Sequence, residues 1–325
     1  MNRYQFRKGR RRTAGATIRP KAGLIAVVLI VVAVGLAHPE PGRPIKVIID
    51  ADPAIGMPFK DVDDGLMLLT ALNSPELDIL GITTTFGNAS QEVSYRTSLE
   101  LVERAGRTDI PVLRGAERAD SEGTPTEASR FIADMAARHP GEVVVLAVGP
   151  VTNVATALRH SPETAEHLRE VVSMGGNVSA ANVANTQCYT DLNYGSDAES
   201  AGLFLESIDN LTVVSIEVSQ RFFISPARYR QMLATTQHAD YLRESTRFWY
   251  WLQRRSFVVW DLVALACLIN PHWFVRNEVA IDYVAEDQDD PRLLPASHPQ
   301  QYITVNIPEY RAPQEQFWEW AFSRM

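Results

Sequence analysis

Five aspartates lie within fifteen residues of one another, and their spacing points to metal chemistry. They are Asp50, Asp52, Asp61, Asp63 and Asp64. Carboxylates this close repel one another and raise one another's pKa values unless a cation neutralises them. A helix N-cap would account for Asp63 or Asp64 alone. Because oxygen ligands suit hard cations, the cluster favours Ca²⁺ or Mg²⁺ over zinc.

The segments around these aspartates alternate between strand and helix patterns. Short apolar runs predict buried strands at 45–49, 79–85, 143–148, 171–174, 212–216 and 302–307. Helical patterns separate them at 66–72, 92–105, 151–160 and 197–205, over most of 226–268, and again before the C-terminus. This alternation predicts an α/β fold with an open, mostly parallel Rossmann-like sheet and helices on both faces. Ligands of such sheets bind beyond the carboxyl ends of the strands, where Asp50 and Asp52 lie.

Several segments, in the same order along the chain, resemble the inosine-uridine nucleoside hydrolase family. The first resembles the family signature Asp-x-Asp-Pro-Gly-x-Asp-Asp. The matching segments are DADPA at 50–54 with DDG at 63–65, ITTTFGN at 82–88, GPVTN at 149–153, VVSMGGN at 171–177, DLN at 191–193, DAESA at 197–201 and WDL at 260–262. The resemblance extends from about residue 45 to near the C-terminus. It is more specific than any single motif because the blocks are collinear.

The resemblance implies a Ca²⁺ site and a hydrolytic reaction. The implied Ca²⁺ ligands are Asp52, Asp64, the backbone carbonyl of Thr152, and Asp261. Asp52 would also be the general base that takes a proton from the attacking water. Asp50 would support these ligands by hydrogen bonding. The implied activity is Ca²⁺-dependent hydrolysis of the N-glycosidic bond of a ribonucleoside, which yields ribose and a free base.

The resemblance also implies which residues hold the ribose. Asp63 would accept hydrogen bonds from the 2′- and 3′-hydroxyls. Asn88, Asn185 and Asn193 would supply amide contacts, with Asn182 competing for the place of Asn185. For each asparagine alone, a loop cap is the simpler interpretation, and only the collinear blocks argue otherwise.

Two departures from the family pattern affect the substrate site. Seven additional residues, AIGMPFK at 54–60, separate Asp52 from Asp63 and must loop out, either as part of the pocket rim or as a surface excursion. Asp191 stands where the family has glutamate. It is one methylene shorter, so its contact to the 5′-hydroxyl of the substrate requires a closer approach.

A third departure concerns the leaving group, because Trp260 replaces the histidine acid of the inosine-uridine branch. Indole cannot deliver a proton at neutral pH. One interpretation is that Trp260 stacks on the base, as aromatic residues do in purine-specific relatives, with help from the aromatic run 248–251. Stacking of this kind is worth ~1–3 kcal/mol, and it would make the enzyme purine-preferring. In a second interpretation, activity is lost or redirected to substrates with better leaving groups. In a third, these aromatic residues only pack in the core.

Two alternative functions remain open at this point. The first is a catalytically impaired nucleoside- or sugar-binding protein on the same scaffold, suggested by the missing acid at position 260. The second is a phosphatase that uses Asp50 and Asp52 as nucleophile and acid. This motif is short, and a phosphatase would need a lysine and a second acidic loop in register.

The first 44 residues predict export ahead of a catalytic domain at 45–325. Residues 1–21 contain eight bases and no acid, and residues 22–37 are uncharged. A basic segment followed by an apolar one is typical of a secretory signal, and an uncleaved membrane anchor has the same pattern. Residues 38–44 are a Pro/Gly-rich linker. The domain is therefore expected to be periplasmic or extracellular, with 22–37 as its only membrane contact.

Charge and cysteine content exclude other classes of protein. Without residues 1–21, 23 bases remain against 39 acids, so the body would repel phosphates and is not expected to bind nucleic acid. Two cysteines, Cys188 and Cys267, cannot staple a chain of 325 residues, and we expect both to be unpaired. The partner is instead a small nucleoside, and the family resemblance implies a homo-oligomer.

Overall fold

The structure is a computed structural model, and it describes residues 43–120, 123–178, 190–285, 291–297 and 302–325. The predicted signal or anchor at 1–37 lies outside the described residues, as do Asn182, Asn185 and Cys188. In the described part of the chain, no helix combines the length and the apolar character needed to cross a membrane.

The described residues contain eleven strands. In chain order they are β1 (Ile45–Ala51), β2 (Leu77–Thr84), β3 (Val112–Arg114), β4 (Val144–Ala147), β5 (Glu170–Met174), β6 (Leu211–Val214), β7 (Phe223–Ile224), β8 (Phe257–Val258), β9 (Phe274–Val284), β10 (Arg292–Pro295) and β11 (Ile303–Tyr310). Nine of them form one sheet in the order β10-β9-β11-β6-β5-β4-β1-β2-β3. Strands β7 and β8 form a separate antiparallel pair.

Helices connect these strands. Those of the described residues are α1 (Asp63–Leu72), α2 (Gln91–Arg104), α3 (Glu127–Arg138), α4 (Thr152–His160), α5 (Thr164–His167), α6 (Leu192–Gly195), α7 (Ala198–Ser207), α8 (Ile216–Ser219), α9 (Pro226–Thr235), α10 (Ala239–Leu252), α11 (Trp260–Ile269) and α12 (Gln314–Phe322). A single 3₁₀ turn, Pro271–Trp273, follows α11.

The central strands are buried on both faces, as their continuous apolar runs require. Val47 and Ile49 of β1 pack in one hydrophobic core together with α1 and α11, whereas Ile48 packs in a second core with α4 and α7. Side chains of a strand alternate between faces, so the two cores lie on opposite sides of the sheet. This confirms the prediction of a mostly parallel α/β sheet covered by helices on both faces.

The carboxyl-terminal part of the sheet differs from the predicted pattern. Strand β9 pairs antiparallel with both β10 and β11, and only β11 was predicted, at 302–307. The 11 residues of β9, FVRNEVAIDYV, are mostly exposed or half-buried, so they lack the apolar run that identifies a buried strand. The short strand β3 and helix α3 were also not predicted.

Candidate active site

The strand at the centre of the site is β1, which ends beside β2 and β4. Asp50 pairs in register with Thr83 of β2 and Ala147 of β4. Its Oδ1 accepts hydrogen bonds from the Thr83 hydroxyl at 2.7 Å and from Nδ2 of Asn153 at 2.8 Å. Burial raises the pKa of Asp50 to about 6, although both hydrogen bonds lower it. Asp50 therefore joins three elements behind the cavity.

Asp52 lies just beyond the end of β1 and is enclosed by backbone. Its Oδ2 accepts from the Asn88 backbone N–H at 2.5 Å, and its own N–H donates to Oδ1 of Asp64 at 3.1 Å. A Cβ atom on Gly87, which has φ +138°, would lie 2.1 Å from Oδ2, and one on Gly149 would lie 3.0 Å from Oδ1. Only glycine permits this close approach to the Asp52 carboxylate.

The carboxylate of Asp52 can hold or release a proton near neutral pH. Burial raises its pKa to about 7, and the nearby charges of Asp63 and Asp50 add to that effect. A general base is most effective when its pKa lies near the working pH. The enclosed position of Asp52 in the cavity lining suits proton abstraction, and the raised pKa is that of the metal-free site.

Three further carboxylates, from Asp63, Asp64 and Asp261, meet beside Asp52. Each offers an oxygen, and these oxygens all lie within 4.8 Å of one another in a buried position. Asp63 and Asp64 begin α1, and Asp261 is in the first turn of α11, which packs against α1. The Asp261 backbone N–H donates to Oδ2 of Asp63 at 3.2 Å. Helix packing thus brings together acids that are nearly two hundred residues apart in sequence.

The electrostatics of this carboxylate cluster call for a cation. Burial raises the pKa of Asp64 and Asp261 well above the usual range, and the neighbouring carboxylates raise both further. Burial also raises the pKa of Asp63 to about 6. Among the described residues, no Lys, Arg or His forms an ion pair with a member of the cluster. An all-oxygen, uncompensated set of this kind fits a hard divalent ion.

Thr152, whose carbonyl was predicted to be a fourth ligand, begins α4 and is buried. Its hydroxyl donates to Oδ2 of Asp197 at 2.7 Å, and Oδ1 of Asp197 accepts from the Ser200 N–H at 3.1 Å to cap α7. These bonds fix the position of the α4 N-terminus. The role of the Thr152 carbonyl as a ligand stays a prediction.

A cavity of about 660 Å³ opens over the carboxylates. Five clustered carboxylates line it, those of Asp52, Asp61, Asp63, Asp64 and Asp261. Its apolar and aromatic lining is formed by Val148, Met174, Leu192, Ile216, Phe223, Trp249, Leu252, Phe257, Val258 and Trp260. The cavity therefore combines a group of acidic side chains with apolar and aromatic surface that suits a planar, weakly polar group.

The aromatic run 248–251 divides between the cavity and the packing around it. Trp249 lines the cavity, as does Trp260, which is half-buried at the start of α11. Tyr250 instead stacks on Tyr229 with ring centroids 4.0 Å apart, and Trp251 is 67% exposed. The packing interpretation therefore holds for Tyr250, whereas Trp249 and Trp260 pack against the core and also line the cavity.

The polar residues predicted to bind ribose all line the cavity wall where they are described. Asn193 donates from Nδ2 to the carbonyl of Val148 at 2.9 Å and to that of Met174 at 3.1 Å, which ties it to the ends of β4 and β5. The Asn88 amide donates to the Asp61 carbonyl at 2.9 Å and accepts from the Asp61 N–H at 3.1 Å. These amides build the wall of the cavity, and their contacts to ribose stay predictions.

Asp191, predicted to reach the 5′-hydroxyl, caps helix α6. Its Oδ1 accepts from the N–H groups of Asn193 at 3.0 Å and Tyr194 at 3.1 Å, and its Oδ2 accepts from Gly176 at 2.6 Å. The shorter side chain is therefore engaged by backbone donors at the cavity wall. Its contact to a substrate also stays a prediction.

Comparison with known proteins identifies the family. The model of the family described as inosine-uridine preferring nucleoside hydrolase matches residues 47–307. The chain belongs to this family. The family resemblance found in the sequence is thereby confirmed, and membership places this nucleoside hydrolase among the enzymes that hydrolyse N-glycosidic bonds.

Relatives of this nucleoside hydrolase carry different base preferences in their names. The probable uridine nucleosidase 2 of Arabidopsis thaliana is 33% identical over 207 residues, which cover 55% of this chain and 62% of that protein. The non-specific ribonucleoside hydrolase RihC of Salmonella newport is 28% identical over 270 residues, covering 75% and 85% of the two chains. The solved purine-preferring ribonucleoside hydrolase from Gardnerella vaginalis superposes with a TM-score of 0.73 at 21% identity, covering 86% and 97%. At that identity, the superposition shows a shared fold.

Several cavity residues of the nucleoside hydrolase were not found from the sequence. The sequence placed Asp61 in the acidic cluster but predicted no role for it. In the structure Asp61 lines the cavity, and its Oδ1 accepts from the Val62 N–H at 2.7 Å at the start of α1. Gln220, Gln253, Arg254 and Ser256 line the aromatic side of the cavity. They belong to no recognisable motif. The polar run Gln253–Ser256 directly after an aromatic helix end was the one available signal.

Proposed function

We propose that this nucleoside hydrolase cleaves the N-glycosidic bond of ribonucleosides to give ribose and free base, with Ca²⁺ held by the carboxylate cluster. The observation that carries the proposal is the buried cluster of Asp63, Asp64 and Asp261 in the lining of a cavity that Trp249, Phe257 and Trp260 also line. A ribonucleoside has the matching polarity, with a diol at one end and a planar base at the other.

The proposed Ca²⁺ ligands are Asp52, Asp64, Asp261 and the carbonyl of Thr152, with Asp63 beside them. When bound, the ion supplies positive charge that offsets the repulsion among the carboxylates and makes a water molecule more acidic. Asp63, whose Oδ2 is held by the Asp261 N–H, is the acceptor proposed for the ribose diol.

Asp52 is the proposed general base. Its carboxylate is fixed by the Asn88 N–H and enclosed by Gly87 and Gly149, so it cannot turn away from the cavity. With Ca²⁺ bound the carboxylate would be ionised, and it would take a proton from water as that water attacks C1′. Positioning of this kind contributes typically 10²–10⁴-fold to the rate.

The proposed base-binding side favours purines. Trp249 and Trp260 both line the cavity, and a bicyclic purine gives them a larger stacking surface than a pyrimidine. Among the described residues that line the cavity, none is a histidine and Arg254 is the single basic side chain. Its guanidinium, together with Gln253 and Ser256, offers hydrogen-bond donors to the electronegative edge of a departing base.

The decisive experiment is a substrate panel with metal control. Purified protein is incubated with inosine, adenosine, guanosine and uridine, and free ribose is measured in the presence of chelator, Ca²⁺ or Mg²⁺. We expect ribose release that chelator abolishes and Ca²⁺ restores, with the higher kcat/KM for purines. Asp52→Asn should lower kcat at least about 10²-fold while the protein remains folded, with cooperative thermal unfolding in chelator. Ribose release that survives chelator would refute the metal assignment.

A second candidate is a nucleoside-binding protein on the same scaffold, favoured by the absence of a histidine among the described cavity residues. Calorimetric binding of inosine without any ribose release, in every metal, would establish this candidate. Any Ca²⁺-dependent release of ribose excludes it.

We also propose that the enzyme is exported, and that it acts on nucleosides outside the cytoplasm as a homo-oligomer. The support for export is the basic segment 1–21 followed by the uncharged segment 22–37. The homo-oligomer is what the family resemblance implies. Cell fractionation of the full-length protein and of a variant lacking residues 1–37 tests the location. Retention of the full-length protein in the cytoplasm contradicts it.

A further inference from the structure

The seven-residue insertion joins two carboxylates of the site, Asp52 and Asp63, through a loop that is anchored at both ends. We define residues 53–62 as the insertion loop. At its start Ile55 is buried, and a Cβ on Gly65 of α1 would lie 2.4 Å from Ile55 Cγ2, so the two are in close contact. At its end, the backbone of Asp61 exchanges two hydrogen bonds with the Asn88 amide.

The tip of the insertion loop carries a strained aromatic residue in an exposed position. Phe59 is 68% exposed and has φ +63°, a conformation that bulky residues rarely adopt. Such strain persists only where surrounding contacts hold it, and it concentrates at functional sites. The contact here is with Phe248 of α10: the ring centroids lie 4.7 Å apart, edge to face at 80°.

The same loop approaches α10 one turn earlier. Gly56 has φ +89°, and a Cβ on it would lie 3.6 Å from Cβ of Ser245. Ser245 and Phe248 are three residues apart and so share one face of the helix. The insertion loop therefore packs along the carboxyl-terminal half of α10 at two points.

The end of α10 determines where the base-side wall of the cavity lies. The ring centroids of Phe248 and Trp251 lie 6.0 Å apart. Two consecutive residues just after the helix, Arg254 and Arg255, have φ +53° and +68°. The Arg254 N–H donates to the Trp251 carbonyl at 3.1 Å and the Arg255 N–H donates to the Tyr250 carbonyl at 2.7 Å. This tight turn places Arg254 in the cavity wall, with Gln253 directly before it and Ser256 two residues after it.

We propose that Phe59 is a positioning residue that determines how the enzyme holds the leaving base. Its ring packs on Phe248 and fixes the end of α10. It thereby sets the distance between the base-side wall and the carboxylates of Asp52 and Asp63, which the insertion loop connects. This inference rests on the proposed hydrolysis of nucleosides. An exposed ring contributes little to the core, so the effect of its loss falls on substrate recognition more than on folding.

The test compares ring-deleting and ring-retaining variants. Phe59→Gly removes the ring and suits the positive φ, so it keeps the backbone without strain, whereas Phe59→Tyr retains the edge-to-face pair. Met57→Ala is the matched control, because Met57 is also exposed on the loop, at 44%, and does not line the cavity. The measurements are KM and kcat for inosine and uridine, the inhibition constant of free ribose, and the melting temperature.

We expect Phe59→Gly to raise KM for nucleosides about 2- to 10-fold, the worth of one aromatic pair, and to change the inosine-to-uridine preference. The inhibition constant of ribose should stay unchanged, and Phe59→Tyr and Met57→Ala should match the wild type. Phe248→Leu should raise KM similarly, and the double variant with Phe59→Gly should be no worse than either single one.

Two outcomes would overturn the inference: an unchanged KM in Phe59→Gly, or additive effects in the double variant. A ribose inhibition constant that rises as much as KM would also overturn it, because the loop would then act on the sugar end. If the wild type releases no ribose, the proposed hydrolysis fails by itself. Calorimetric affinities of the same variants for inosine then decide the role of Phe59 separately.

Discussion

Replacing Asp261 by asparagine should change stability in opposite directions with and without metal. Asparagine keeps the shape of the side chain and removes its charge. Oxygens of Asp261, Asp63 and Asp64 lie within 4.8 Å of one another. At that distance and an effective dielectric constant of ~20, each pair of ionised carboxylates repels by about 3.5 kcal/mol. In chelator at pH 8.5, Asp261→Asn should therefore be more stable than the wild type, by on the order of 3 kcal/mol.

Metal should reverse this order. Ca²⁺ at 1,000 times its dissociation constant stabilises the wild type by about 4.1 kcal/mol, which exceeds the advantage of the variant in chelator, and the variant gains less because it has lost one ligand. Differential scanning calorimetry in chelator and in Ca²⁺ measures both effects. A change of 3 kcal/mol corresponds to roughly 6 °C in melting temperature for a domain of this size.

The stability of the metal-free protein should also depend on pH, in a direction that the raised pKa values determine. Burial raises the pKa of Asp50 and Asp63 to about 6 and that of Asp52 to about 7. The metal-free native protein thus binds more protons than the unfolded chain between about pH 4 and pH 7, and its stability falls as pH rises through that window. At pH 5 the advantage of Asp261→Asn in chelator should shrink, because the cluster is already largely protonated.

A matched control is Asp197→Asn. Asp197 is also buried, but its oxygens accept from the Thr152 hydroxyl and the Ser200 N–H. Its replacement should destabilise the protein in both buffers, since it weakens a cap. The reasoning is refuted if Asp261→Asn is the less stable protein in chelator at pH 8.5, or if Ca²⁺ fails to stabilise the wild type.

Two further substitutions and one labelling experiment have defined outcomes. Trp260→Ala should raise KM for purine nucleosides by roughly 5- to 100-fold, the worth of one stacked base, and steady-state kinetics measure it. Gly87→Ala should abolish turnover and weaken Ca²⁺ binding in calorimetry, because the new Cβ would meet Oδ2 of Asp52 at 2.1 Å. Burial raises the pKa of the Cys267 thiol to about 12, so a thiol reagent should label Cys267 only after unfolding, whereas labelling of the native enzyme would contradict its burial.

The sequence predicted the elements that carry strong local patterns. Asp50 and Asp52 follow an apolar β1, and Gly-rich segments follow the neighbouring strands, so the acidic edge of the sheet was predictable. The position of Asp61 was not, because its role depends on the backbone pairing with Asn88, which is distant in sequence. Strand β9 was missed because it is exposed and polar along much of its length. Cavity residues after α10 were missed because a polar run after an aromatic helix end was their only signal, and nothing in the sequence marks the positive φ of the two arginines.

The scaffold stabilises the carboxylate cluster only in part. Asp63 and Asp64 lie in the first turn of α1, and Asp261 lies in the first turn of α11. The positive ends of the two helix dipoles face these acids. Each interaction between a helix dipole and a carboxylate stabilises the charged form by about 0.3–1 kcal/mol, up to ~2 when partly buried. Backbone N–H groups of Asp52 and Asp261 donate to Asp64 and Asp63.

These contributions are smaller than the repulsion of about 3.5 kcal/mol that each pair of carboxylates generates when ionised. The two helix ends therefore preorganise the acids without neutralising them. The metal-free protein can relieve the repulsion only by taking up protons, as the raised pKa values of Asp52, Asp63, Asp64 and Asp261 indicate. A divalent cation would relieve it while leaving Asp52 ionised and able to accept a proton. On the function proposed here, metal binding and general-base catalysis would therefore both depend on these carboxylates lying together.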